Sequence, residues 1–168
     1  MNLRKLEGES PLRWGSDAVE IPGARKLLGK LEEVAGKWAI VTSGTRPLVD
    51  GRLDILGLVA PQTLVTAEEV QNGKPDPGCY RLGLKRLSIP EKDELFLPPL
   101  CIEDAPAGVR AGRAAGCKVL AVATTHNVEQ LIDAGAHWVV QDLRSVSLGG
   151  NGSDKSKINV EIRNAFSA

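Results

Sequence analysis

From residue 21 onward, apolar positions along the chain alternate between two periods. In "IPGARKLLGKLEEVAGK", Pro22 and Gly23 open a segment with Leu27, Leu28 and Leu31 at helical spacing; Val34 and Ala35 continue the stripe and Gly36 closes it. "WAIVT" at 38–42 is a short, continuous apolar run, as expected of a strand buried on both faces. "RPLVDGRLDILGL" returns to helical spacing despite Gly51, and "TLVT" at 63–66 is a second short strand before the turn-rich "NGKPDPG". Downstream, "YRLGLKRL", "AGVRAGRAAG" and "NVEQLIDAG" read as helices. "PLCIE", "KVLAVAT" and "HWVV" read as strands between them. Short strands alternating with helices predict βαβ units, and hence an α/β fold with a doubly wound parallel sheet.

Residues 1–20 differ: they are polar, with Trp14 as the one large anchor, and suggest no element. At the other end, "LGGNGSDKSK" reads as a Gly/Ser/Lys loop. The alternating "INVEIRN" reads as a half-buried edge strand. The expected organisation is therefore an α/β core over 21–148, with a distinct N-terminal segment before it and a loop plus edge strand over 149–168.

Composition narrows the class. The 168 residues are 42% hydrophobic, enough for one domain with a packed core. Lys+Arg 21 balances Asp+Glu 21, which argues against a nucleic-acid binder. Cys79, Cys101 and Cys117 have no metal-ligand spacing and read as reduced thiols. No apolar run is long enough for a membrane span, and "KDEL" at 92–95 is internal, so a soluble, cytoplasmic protein is expected.

Ligands of open α/β sheets bind beyond the carboxyl ends of the strands. Three polar clusters fall there: Thr42, Ser43 and Gly44 after the first strand, Lys74 after the second, and Glu103 with Asp104 after the third. A hydroxyl, an ammonium and adjacent carboxylates suit a phosphate ester with a hard cation. Magnesium takes one or two carboxylates plus a phosphate oxygen, while lysine and turn N–H groups hold the phosphate. Each cluster alone has a plainer reading as a capped turn, a solvated lysine or a helix N-terminal acid pair. Their combination in this order favours a phosphate and metal site. "GARKLLGKL" does not complete a P-loop, and His126 and His137 stand near no nucleophile elbow and read as structural or surface residues.

The segments "IVTSGT", "GKPDP" and "IEDAPAGVRAGRAAG" resemble the second, third and fourth motifs of the haloacid dehalogenase superfamily of phosphatases. "DAVEIPGARKLL", "TAEEVQNGKPDP" and "AAGCKVLAVATT" are similar to its fungal glycerol-phosphate and 2-deoxyglucose-6-phosphate phosphatase branch. The resemblance covers about residues 17–148, with the tail similar more loosely. It implies that Thr42 contacts the transferring phosphoryl group, helped by Ser43 and Gly44, and that Lys74 neutralises phosphate charge. It also implies that Asp104 binds Mg2+, with Glu103 as a second or water-mediated ligand. The implied substrate is a small phosphorylated sugar or polyol, hydrolysed through an aspartyl phosphate.

One departure matters. The family's first motif, Asp-x-Asp-Gly-Thr on a central first strand, carries the nucleophile, yet no Asp-x-Asp occurs in these residues. By this resemblance residues 1–20 correspond to the end of a helical cap and its hinge, and the first strand and most of the cap are absent. Three readings follow: a phosphatase domain inactive in this form, a non-catalytic phosphate- and metal-binding regulatory module, or a fragment without function. The resemblance further implies a sheet gap beside strands 38–42 and 99–102, through which chains could self-associate.

Overall fold

The computed structural model describes residues 18–33, 37–90, 97–151 and 154–167. In chain order its regular elements are α1 (Ala24–Glu33), β1 (Ile40–Val41), α2 (Arg46–Leu56), β2 (Leu64–Val65), α3 (Gly78–Arg86), β3 (Leu100–Glu103), α4 (Pro106–Ala114), β4 (Lys118–Val122), α5 (Val128–Asp133), β5 (Trp138–Val140), β6 (Val146–Asn151) and β7 (Asp154–Ile162). Strands β3, β4 and β5 pair in parallel in that order, and β1 pairs in parallel with β2. The alternation read from the sequence is therefore present as parallel strands joined by helices.

Strand β4 shows why the pattern worked. Val119 and Ala121 pack into one apolar cluster, with Val109, Leu131 and Val139. Leu120 and Val122 pack into another, with Leu27, Val140 and Val146. A strand covered on both sides needs apolar residues at every position rather than alternate ones. Helices α3, α4 and α5 contribute to the first cluster, while α1 and β6 close the second. Gly83 lets α3 approach the sheet closely, since a Cβ there would stand 3.1 Å from Val41 Cγ2.

The C-terminal region corrects the sequence reading. Residues 148–151 and 154–157 are strand rather than loop: β6 and β7 form an antiparallel ribbon, with Val146 opposite Ile162 and Leu148 opposite Val160. "INVEIRN" thus pairs with β6 rather than with the edge of the parallel sheet. Glycine and serine are poor strand formers. Here Val146, Leu148 and Ile162 pack against the Leu27 cluster and so fix the register, which shifts at Gly150/Asn151. The edge of the parallel sheet is reached instead by Phe166, whose N–H and C=O exchange 2.8 and 2.9 Å hydrogen bonds with Val139. Residues 1–17 of the proposed cap remnant lie outside the described residues, and 18–20 carry no helix or strand.

Among the described residues, β1 and β3 each have one partner strand, and no strand joins them. The N–H groups of Ile40 and Thr42 bond Thr63 O, just before β2, and Val65 O in β2, at 3.1 and 2.9 Å. Backbone alternation therefore turns the N–H and C=O of Val41 away from β2. On β3, Ile102 is 38% exposed between buried Cys101 and Glu103. An isoleucine open to water in mid-strand marks a sheet face left uncovered. We expect the Val41 amide to exchange with deuterium faster than the Ile40 and Thr42 amides on either side, as measured by NMR. Equal protection of all three would mean that another segment hydrogen-bonds β1 at this slot.

Candidate active site

The first strand ends in a tight polar turn. The Thr42 N–H stays in the sheet on Val65 O, while its Oγ1 accepts the N–H of Gly44 at 3.0 Å. Gly44 O in turn accepts the Ala67 N–H at 3.1 Å, which ties the turn to the chain beyond β2. Ser43 is exposed, and Thr45 is buried with no hydrogen-bond partner for its Oγ1. Helix α2 begins at Arg46, whose N–H is taken by Glu68 Oε1 at 3.1 Å. One free donor of that helix end is thus satisfied by a carboxylate of the following loop.

Lys74 reaches the site from the loop after β2. That loop starts at a capping box in which the Thr66 N–H bonds Glu69 Oε2 at 2.9 Å. The Lys74 ammonium donates to Val41 O at 3.2 Å and to Glu103 Oε1 at 2.5 Å, and lies 5.0 Å from the centre of the Tyr80 ring. Its side chain is 12% exposed and that of Glu103 6%, so the ion pair is nearly dry. Tyr80 also donates its hydroxyl to Glu103 Oε1. Burial first, and then the Glu103 charge, push the Tyr80 phenol far above its ordinary range, so it stays a neutral donor. Gly108 makes room for the carboxylate: a Cβ there would lie 2.0 Å from Glu103 Oε2.

A cavity of about 220 Å³ opens beside this pair, lined by Thr42, Ser43, Gly73, Lys74 and Cys79 among others. Lysine has three N–H donors, of which two are placed on protein oxygens. One remains for an anion in the cavity. Burial raises the Cys79 thiol above its ordinary range, so it lines the wall as an unreactive group.

The fold brings Thr42, Ser43, Gly44 and Lys74 to one place and sets Glu103 on Lys74, but it treats the two carboxylates differently. Glu103 is turned inward, while Asp104 is exposed at the rim and is not among the residues lining the cavity. The Thr125 hydroxyl lies 3.3 Å from Asp104 Oδ2. No group of three or more His, Cys, Asp and Glu side chains that could hold a metal occurs among the described residues. This donor set suits a cation that takes one or two protein carboxylates and fills its remaining positions with water and phosphate, which is the habit of magnesium. Sequence reasoning missed Tyr80, Gly108 and Thr125, and it assigned His126 no role at the site. A lone tyrosine on the apolar face of α3 was the available signal, because a buried phenol needs a partner.

Two measurements test this geometry. Lys74→Met leaves Glu103 charged and without its counter-ion, and should cost about 3–5 kcal/mol of stability in denaturant melts. Glu103→Gln in the Lys74→Met background should recover part of that loss; no recovery would mean that the pair is not coupled. The second test uses the single tyrosine of the chain. Its absorbance should show no ionisation through its ordinary pKa of 10.0 while the chain stays folded. Above that pH the unfolded state releases the proton and the folded state keeps it, so stability falls as pH rises. Ionisation near the ordinary value in the folded chain would place the phenol in water.

Residues 14–122 match the family of haloacid dehalogenase-like hydrolases. The chain is 37% identical over 159 residues to glycerol-1-phosphate phosphohydrolase 2 of Saccharomyces cerevisiae, a match covering 93% of this chain and 64% of that one. It is 47% identical over 102 residues to hexitol phosphatase A of Escherichia coli, covering 61% and 45% respectively. A solved hydrolase from Pseudomonas syringae superposes with a TM-score of 0.71 at 28% identity, over 81% of this chain and 61% of that one. The chain thus spans less than two thirds of the length of these proteins. The parallel sheet is in keeping with this match, and the chain belongs to the haloacid dehalogenase-like hydrolases.

Proposed function

We propose that this chain serves the hydrolysis of small sugar or polyol phosphates, glycerol phosphate-like in size, with Mg2+ at the carboxylate rim. The observation that carries this reading is the Lys74 ammonium, held between Val41 O and Glu103 at the wall of the cavity that Thr42 also lines. Thr42 and Ser43 supply hydroxyls, and Ser43 a turn N–H, for a phosphoryl group, while Gly44 holds the turn through its N–H on Thr42 Oγ1 and Lys74 offsets the phosphate charge. Asp104, with Glu103 behind it, would hold the magnesium ion. When bound, the ion neutralises charge on the phosphate oxygens and so lowers the barrier to transfer. The relatives named for glycerol 1-phosphate and hexitol phosphates support this substrate class.

The missing part is the nucleophile. With no Asp-x-Asp in the chain, Thr42 and Lys74 can bind and orient a phosphate but have no carboxylate to attack it. The place where one would act is the carboxyl end of the open slot between β1 and β3. By themselves, then, these residues form a phosphate- and metal-binding domain without turnover. Three free, buried cysteines support a reducing, cytoplasmic setting. Among the described residues no helix is long and apolar enough to cross a membrane.

The test is calorimetric titration with inorganic phosphate, with and without Mg2+, alongside hydrolysis assays on glycerol 1-phosphate and a hexitol phosphate. We expect magnesium-dependent phosphate binding, weakened roughly tenfold or more by Thr42→Val or Lys74→Ala, since each removes a charged-group hydrogen bond. No turnover above background is expected. Absence of phosphate binding would overturn the site. Turnover lost in Lys74→Ala would mean that a nucleophile on this chain has been overlooked.

A further inference from the structure

The rim of the site contains a second polar group that the reading above does not use. Thr125 and His126 lie in the loop between β4 and α5. That loop is fastened at both ends. The Ala123 N–H bonds Val140 O at 2.8 Å, and Asn127 forms a capping box with Gln130, at 2.9 and 3.1 Å. Between these anchors Thr125 Oγ1 stands 3.3 Å from Asp104 Oδ2, 3.2 Å from Asp104 O and 2.9 Å from His126 Nδ1. His126 Nδ1 is itself 3.2 Å from Asp104 O.

One tautomer of His126 gives this cluster a directed arrangement. A carbonyl only accepts, so the tautomer in which Asp104 O is satisfied by His126 is the one with the hydrogen on Nδ1. It then donates to that carbonyl and to Thr125 Oγ1. The single hydroxyl hydrogen of Thr125 is left for Asp104, and Oδ2 receives it. The result is a directed chain from His126 through Thr125 to the carboxylate. Among the described residues the other oxygen, Oδ1, is given no protein donor, so one face of the carboxylate stays open to a cation.

We propose that Thr125 is the positioning residue for Asp104, oriented in turn by His126, so that the Asp104 carboxylate presents Oδ1 to the metal. This rests on the reading of Asp104 as the magnesium ligand. Side chains that orient a metal ligand in this way typically contribute ten- to a hundredfold in affinity, while an exposed carboxylate without one must be ordered at the moment of binding. Asp104 is exposed, and among the described residues its hydrogen-bond contacts come from this loop.

The experiment measures Mg2+ affinity by calorimetry, and the Mn2+ spectrum by electron paramagnetic resonance, on the 168-residue chain. The variants are Asp104→Asn, Thr125→Val and Thr125→Ser, and thermal melts monitor folding of each. Thr125→Val keeps the shape and removes the donor; it should weaken Mg2+ about tenfold and broaden the Mn2+ lines without changing the melt. Thr125→Ser retains a hydroxyl and should restore both signals. If Asp104→Asn loses the metal and Thr125→Val binds as tightly as the wild type, the positioning role is overturned and the ligand role of Asp104 stands. Equal weakening in Thr125→Val and Thr125→Ser would also overturn it, by showing that the methyl packing matters and not the hydroxyl. Wild-type affinity in Asp104→Asn, or no affinity in the wild type, would overturn the ligand reading and the positioning role with it.

Discussion

Lys74 sits where two partial sheets must be held at a fixed separation. Its ammonium is bonded to the Val41 carbonyl on β1 and to the Glu103 carboxylate on β3, strands that share no ladder hydrogen bond among the described residues. The pair is nearly out of water, so neither charge is tolerable without the other. Much else at the rim follows from that condition. Tyr80 has to stay protonated to give Glu103 a second donor, and its own burial ensures this. Residue 108 has to be glycine, because any Cβ would occupy the space of the carboxylate. Asp104, left outside the pair, stays exposed at the rim.

The same arrangement separates the roles of two neighbouring acids. Successive side chains on an extended chain point to opposite sides. Glu103, still in β3, is directed into the protein, and Asp104, just past the strand end, is directed to the rim. The repulsion between adjacent carboxylates is thereby answered for Glu103 by Lys74 and Tyr80, and for Asp104 by solvent and Thr125.

How much could be read from the sequence follows from what each signal reports. The run at "KVLAVAT" disclosed a buried parallel strand because burial on both faces leaves no polar position. "WAIVT" looks the same in sequence, but its strand is only half-buried, since one edge of β1 lacks a neighbour among the described residues. Thr42, Lys74 and Glu103 were legible because strand ends are where an α/β sheet places its chemistry. Their pairing was not, since the contact between Lys74 and Glu103 joins residues 29 apart in sequence and depends on a lysine reaching back across the rim. The β6–β7 ribbon was hidden for a different reason. "LGGNGSDKSK" has loop composition, and its strand conformation comes from packing of Val146, Leu148 and Ile162 elsewhere on the ribbon. Thr125 was invisible because a single hydroxyl in a turn carries no periodicity.

Ile102 and the outward-facing backbone of Val41 border the opening between β1 and β3, and occupancy of such an opening is a matter of tethering as much as of fit. A segment joined to the same polypeptide by a short flexible linker meets the opening at an effective concentration of about millimolar. The same segment free in solution must reach that level by itself. A strand of modest affinity would therefore fill the opening when covalently attached and leave it largely empty at micromolar concentrations when detached.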